Sequence, residues 1–288
     1  CGDVDGDGYV EYRRRSPHGL VNQGWKDSWD GINFADGRLA ESPIALCEVQ
    51  GYTYAAFRAA AHFALESGDH EGAERYRERA DQLKVAFNRD FWLPDRGWFA
   101  VGLDADKEPI DSLTSNIGHC LWAGIVDDDK AGLVADHLLS PQMFTGWGIR
   151  TLASSMARYN PVSYHNGSVW PHDNAICVAG LTRYGYLDHA HQVTQGLLDA
   201  ADEFDGRLPE LFAGLGRDEL GTPATYPASC SPQAWAAATP QLLLRSMLRM
   251  DPWIRRSRIH LSPRPPDSVG RLGLHGVRVG GRSLDIDW

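Results

Sequence analysis

Three stretches of the chain read as pairs of amphipathic helices, each joined by a few turn residues and separated by loops rich in aromatic and amide side chains. Ser42-Pro43 is an N-cap and first-turn pair, and the apolar residues Ile44, Leu46, Val49, Tyr52, Ala56, Ala59 and Phe63 follow at helical spacing to about Glu66. Gly68-Asp69 closes that helix and caps the next, over residues 70–88, whose inner face is Ala73, Tyr76, Ala80, Leu83 and Phe87. The pattern recurs over 111–125 with 127–140 and over 171–184 with 187–204, and a last long helix spans 233–250. A helix with one apolar stripe must bury it against a neighbour. Successive antiparallel hairpins do so by closing into a toroid, which gathers their loops at one end. The reading is a mainly α fold of roughly eight helices over residues 1–250. A short aromatic β-hairpin falls near 90–101, and an alternating, β-rich tail occupies 251–288.

Function on such a scaffold belongs to the loops. The densest is Asn22-Gln23-Gly24-Trp25-Lys26-Asp27-Ser28-Trp29-Asp30, with two indoles and two candidate acids in a turn-forming context. Its plainer reading is a surface loop with a Trp anchor and an Asp cap. A second carboxylate, Glu210, lies in Leu208-Pro209-Glu210-Leu211-Phe212, between apolar residues, where an ionisable group is costly unless paired or used. Asp3-Val4-Asp5-Gly6-Asp7-Gly8 opens like a calcium loop, with acids at alternate positions and Gly at the sixth. The twelfth position, a Glu in a complete EF-hand loop, is Arg14. Asp3, Asp5 and Asp7 are therefore candidate ligands for a structural calcium ion, with an acidic turn leading into a strand at 9–14 as the alternative. No cofactor is required by anything else in the sequence.

A formal net charge of -10 argues against a nucleic-acid partner, and no apolar run is long enough to span a membrane. The five Cys are far apart and lack zinc-site spacing, so they are expected to be reduced core thiols of a cytoplasmic protein. Ten Trp in 288 residues suit a carbohydrate site, where sugar C–H faces stack on rings, although a buried Trp is more often core.

Five motifs occur in order: Gly24-Trp25-Lys26-Asp27, Met143 to Arg150, Tyr164-His165-Asn166-Gly167-Ser168-Val169-Trp170-Pro171, Pro209-Glu210-Leu211-Phe212 and Cys230-Ser231-Pro232-Gln233-Ala234-Trp235. Together they make the chain resemble the amylo-α-1,6-glucosidase (bacterial-type glycogen-debranching) glycosidases of the six-hairpin (α/α)6 group. The resemblance spans about 3–248. It implies an inverting glycoside hydrolase acting on α-glucosidic linkages. Inversion needs an acid on the leaving oxygen and a carboxylate activating water, roughly 6.5–9.5 Å apart. The resemblance places the acid at Asp27, with Asp30 as runner-up. The indole of Trp25 is expected to raise the acid's pKa, with Lys26 pointing elsewhere. Glu210 is the base.

Trp25, Trp147, His165, Asn166, Trp170, Gln233 and Trp235 would make the sugar pocket, at least two of the four Trp being core instead. A carbohydrate is the expected partner, and the oligomeric state is open. The six-hairpin fold has more barrel helices than the chain shows, so native sequence is expected before Cys1. The alternatives are a non-catalytic carbohydrate-binding fragment, or another six-hairpin enzyme using His165 as base.

Overall fold

The computed structural model describes residues 2–288; Cys1 lies outside the described residues. It contains eight α-helices among the described residues: α1 Cys47–Glu66, α2 His70–Asp90, α3 Asn116–Ala123, α4 Asp128–Leu138, α5 Pro171–Arg183, α6 Leu187–Glu203, α7 Arg217–Leu220 and α8 Ala234–Leu248. The expected hairpins are present. Gly68 closes the first pair with a left-handed backbone (φ 84°), and the Asp69 side chain caps α2 by accepting from the Gly72 amide. The single-turn α7 was not anticipated.

Helix α1 starts later than the Ser42-Pro43 signal implied. Ala45–Leu46 (β1) is extended and pairs with Gly102–Leu103 (β4), so backbone pairing overrides the cap signal. The aromatic segment forms the expected hairpin, Trp92–Leu93 (β2) with Trp98–Phe99 (β3). The strand expected at 9–14 reduces to one bridge, Tyr12 to Ile44.

Helices α1, α3, α5 and α8 pack in sequence as the inner members of an arc, and α2, α4 and α6 cover α1, α3 and α5 respectively. The α3–α5 crossing is close. A Cβ on Gly180 would lie 2.7 Å from the Gly118 carbonyl oxygen, and one on Gly118 would lie 2.3 Å from Cys177 Sγ. Glycine at both positions lets the two backbones meet. The main core runs between inner and outer helices through Phe87, Phe91, Ile117, Leu121, Val134, Leu138, Val178, Leu181, Val193 and Leu197.

Between the helices, isolated bridges hold the loops side by side: Arg150 to Val169, Val169 to Phe212 and Phe212 to Thr225. This ladder brings residues far apart in sequence to one end of the arc. The tail forms two hairpins, Asp251–Trp253 (β5) with Arg258–His260 (β6), and Gly273–Val279 (β7) with Arg282–Asp287 (β8). It docks on the helices through the Trp253–His62 ring contact, the His191 bond to the Arg264 carbonyl and the Ser268–Gln195 bond.

Candidate active site

The first turns of the four inner helices converge. His119 of α3 bonds Asp173 of α5 at 2.7 Å, and His172 of α5 packs its ring 4.4 Å from that of Trp235 of α8. Glu48 of α1 acts electrostatically on Lys26, which also feels Asp173. A helix N-terminus favours negative charge, which suits carboxylates at these first-turn positions.

Above them lies the loop 22–30. Trp25 stacks on His119 (5.8 Å, 12°) and meets the edges of His165, Trp170 and His172 at 5.2–5.8 Å. His165 in turn stacks on Trp170 at 5.0 Å. Four of the expected pocket residues, Trp25, His165, Trp170 and Trp235, therefore belong to one aromatic cluster. Trp235 is half exposed at its rim.

The remaining three are placed otherwise. Trp147 is not brought into this cluster. It is buried in a separate apolar cluster with Val169, Ala200, Leu208 and Phe212, with Arg217 over its outer face. Asn166 clamps the loop: its Nδ2 donates to the Asp30 carbonyl and its Oδ1 accepts from Asn33. Gln233 uses its Oε1 to cap α8 at the Ala236 amide. Amide side chains answer buried or terminal backbone groups first, and the sequence pattern does not distinguish that use from sugar binding.

One of the two chosen carboxylates, Glu210, is bonded to a phenol. The Tyr164 hydroxyl donates to Glu210 Oε1 at 2.9 Å, and Glu210 Oε2 accepts from the Cys230 amide at 3.0 Å. Asp27 is exposed on the outer side of its loop, where its charge also bears on Tyr164. Burial, then the Glu210 bond and charge, then Asp27, hold that phenol well above its ordinary pKa. Lys26 points inward, away from Asp27, and is 1% exposed.

His165 is pushed down to about 3 and His172 to about 4, both chiefly by burial. Neutral His165 accepts at Nδ1 from the Ser28 amide, so it is engaged in holding the loop and is a poor candidate for a general base. Burial alone would raise Asp173. The His119 bond and the charges of His119, Lys26 and His172 outweigh it and hold this carboxyl below its ordinary range. Glu48 is raised by its burial.

Sequence reasoning passed over Tyr164, which lies inside a quoted motif, and the His119–Asp173 pair, whose members are 54 positions apart and meet only through the α3–α5 crossing. The adjacent His172 and Asp173 do not bond each other; Asp173 serves His119.

At the acidic N-terminal loop, the Lys107 ammonium bonds Asp5 (2.9 Å), Asp7 (2.6 Å) and Glu11. Asp3 accepts from the Gly6 and Gly8 amides. The donor set is that of a hard cation, and a lysine side chain lies within it.

An arc of helical hairpins with an aromatic, carboxylate-bearing loop cluster at the inner helix N-termini defines an (α/α)-toroid of the type carried by six-hairpin carbohydrate-active proteins. The fold is shared with solved structures. A sialidase superposes on 96% of this chain at TM-score 0.73 with 16% identity, the match covering 26% of that chain. The GH63 mannosylglycerate hydrolase from Thermus thermophilus in complex with glucose matches 69% of this chain and 47% of its own at TM-score 0.58 with 18% identity. The neutral trehalase Nth1 from Saccharomyces cerevisiae matches 77% and 41% at TM-score 0.57 with 16% identity.

The chain belongs to the mannosylglycerate hydrolase MGH1-like glycoside hydrolase domain family, whose model matches residues 4–214. A curated relative, the 3-O-beta-D-glucopyranosyl-beta-D-glucuronide phosphorylase of Paenibacillus borealis, is 30% identical over 185 residues, or 57% of this chain. The match spans 23% of that relative's length. The expected six-hairpin glycosidase group is thus confirmed; the family within it is MGH1-like, and none of these relatives is named as an amylo-α-1,6-glucosidase.

Proposed function

We propose that this chain carries the core of an inverting enzyme that cleaves α-linked hexosides, with Asp27 as general acid and Glu210 as general base. The observation that carries the reading is the Tyr164 phenol, which bonds Glu210 and lies within the field of Asp27. Two carboxylates from loops 183 positions apart, one bonded to the Tyr164 phenol and the other acting on it through its charge, suit a reaction that needs an acid and a base. Asp27 protonates the leaving oxygen. Glu210, oriented by Tyr164 and the Cys230 amide, takes a proton from the attacking water. Trp25 and the exposed face of Trp235 flank the sugar, with the buried Trp170 packed behind Trp25.

The substrate class is small or terminal α-hexosides. A glycogen-type α-1,6 branch is one member, and the relatives' printed names add mannosylglycerate and trehalose. Phosphorolysis is the second reading, favoured by the named phosphorylase relative. In that case phosphate replaces water and Glu210 is dispensable. The test is the full-length protein against α-1,6-glucan, mannosylglycerate, trehalose, aryl α-glucosides and, for the second reading, a 3-O-β-glucosyl-β-glucuronide, with and without phosphate, alongside Asp27→Asn and Glu210→Gln. Phosphate-independent turnover that both substitutions abolish supports hydrolysis. Phosphate dependence selects the second reading, and no turnover on any member leaves a carbohydrate-binding role.

A further inference from the structure

Lys26 is an expensive residue where it stands. It is fully enclosed, yet its ammonium, with three protons to donate, has a single hydrogen bond, to the Thr151 carbonyl at 2.6 Å. The opposite charges that act on it are Asp173, from the first turn of α5, and Glu48, from the first turn of α1, neither of which forms an ion pair with it. Both carboxyls keep one oxygen (Asp173 Oδ2, Glu48 Oε1) with no partner within the protein. A buried cation costs several kcal/mol unless its pairing is good, and methionine would occupy similar space without that cost.

The rest of the loop shows what the cation accomplishes. Residues 28–30 are clamped by polar contacts from Asn22, Asn33, His165 and Asn166. Residues 25–27 have no such clamps. The Trp25 indole N–H is unpartnered, and among the described residues the Lys26–Thr151 bond is the one hydrogen bond made by this tripeptide. Lys26 is buried and Asp27 exposed, so these adjacent side chains leave the loop on opposite sides.

We propose that Lys26 is a positioning residue: its buried ammonium ties residues 25–27 to the Thr151 carbonyl and thereby turns Asp27 to the outer, exposed side of the loop. The proposal rests on the reading of Asp27 as the acid. The two buried carboxyls favour the charged form of Lys26 on which that anchor depends.

The test uses full-length protein with Lys26→Met, Asp173→Asn and Asp27→Asn. Two readouts separate the anchor from the acid. The first is ¹⁹F NMR of 5-fluorotryptophan-labelled protein, with the Trp25 line assigned from Trp25→Phe. In Lys26→Met that line moves toward the position of exposed indoles while the others stay, and Asp173→Asn moves it in the same direction. The second is leaving-group dependence. Lys26→Met lowers kcat on methyl α-glucoside at least about tenfold more than on α-glucosyl fluoride, whose leaving group needs little protonation, with KM changed less than about threefold.

Unmoved ¹⁹F lines overturn the anchor, as does a shift of all lines together. An equal loss on both substrates shows that Lys26 does not act through an acid. If Asp27→Asn itself lacks the leaving-group pattern, the reading of Asp27 fails, while the ¹⁹F result still decides what Lys26 holds.

Discussion

Lys26 leaves a signature in the pH dependence of stability. Burial pulls its pKa from 10.5 to about 8 despite the charges of Asp173 and Glu48. The group is fully enclosed, so the shift converts to a folding cost of about 3 kcal/mol at neutral pH, at about 1.4 kcal/mol per pH unit. The folded pKa lies below the unfolded one, so between about pH 8 and 10.5 the unfolded chain binds more protons and stability rises with pH. Below pH 8 the full cost applies. From pH 7 to 9 the wild-type protein should gain about 1.3 kcal/mol relative to Lys26→Met, or about 2 °C in Tm for a chain this long.

Cys47 and Cys177, whose burial raises both thiols, oppose this trend but do so in both chains. Asp173 is held low and does not titrate in the window. The assay is differential scanning calorimetry of the two proteins at pH 7 and pH 9, compared as a difference of differences. Equal pH slopes would show that Lys26 keeps its ordinary pKa in the folded protein and would refute the folding cost assigned to its burial.

Tyr164→Phe removes one hydrogen bond to Glu210, a bond to a charged group worth about 1.5–3 kcal/mol, so kcat/KM should fall about 10- to 100-fold while the fold survives. Steady-state kinetics on whichever hexoside is turned over checks this. His165 and His172 are held neutral below their ordinary pKa, so the stability they confer is present above pH 6.5 and drains away as pH falls toward 4. Each accounts for up to about 1.4 kcal/mol per pH unit, and His172→Gln should flatten the acid limb of a Tm–pH profile. Lys107→Met leaves Asp5, Asp7 and Glu11 facing one another without their shared cation. The variant should melt lower than wild type and recover in millimolar calcium, as thermal melts with and without the ion would show.

The hairpins were legible because helix period, caps and turn glycines agree locally, as at Gly68-Asp69. The start of α1 was misplaced because Ala45 and Leu46 are taken by pairing with the distant strand Gly102–Leu103, which no local signal encodes. Composition and motif order single out Trp25, His165, Trp170 and Trp235, and the structure brings them into one aromatic cluster. Trp147 was not separable from them in sequence. An indole in an aromatic loop looks the same whether it faces a sugar or, as here, lies in the core beneath Arg217.

The buried set of Lys26, Glu48, His119 and Asp173 was illegible for a different reason. Each member is an ordinary polar residue until the inner helix N-termini meet. Lys26 was read correctly as pointing away from Asp27, but not as the residue that holds the loop.

The most direct test of the central claim is the anomeric configuration of the first-formed product, followed by proton NMR during turnover of an α-hexoside by the full-length protein. Two carboxylates acting as acid and base predict that the β-anomer of the released sugar appears first and that Asp27→Asn and Glu210→Gln each lose nearly all of that signal. An α-anomer appearing first, or wild-type rates in either variant, would contradict the account.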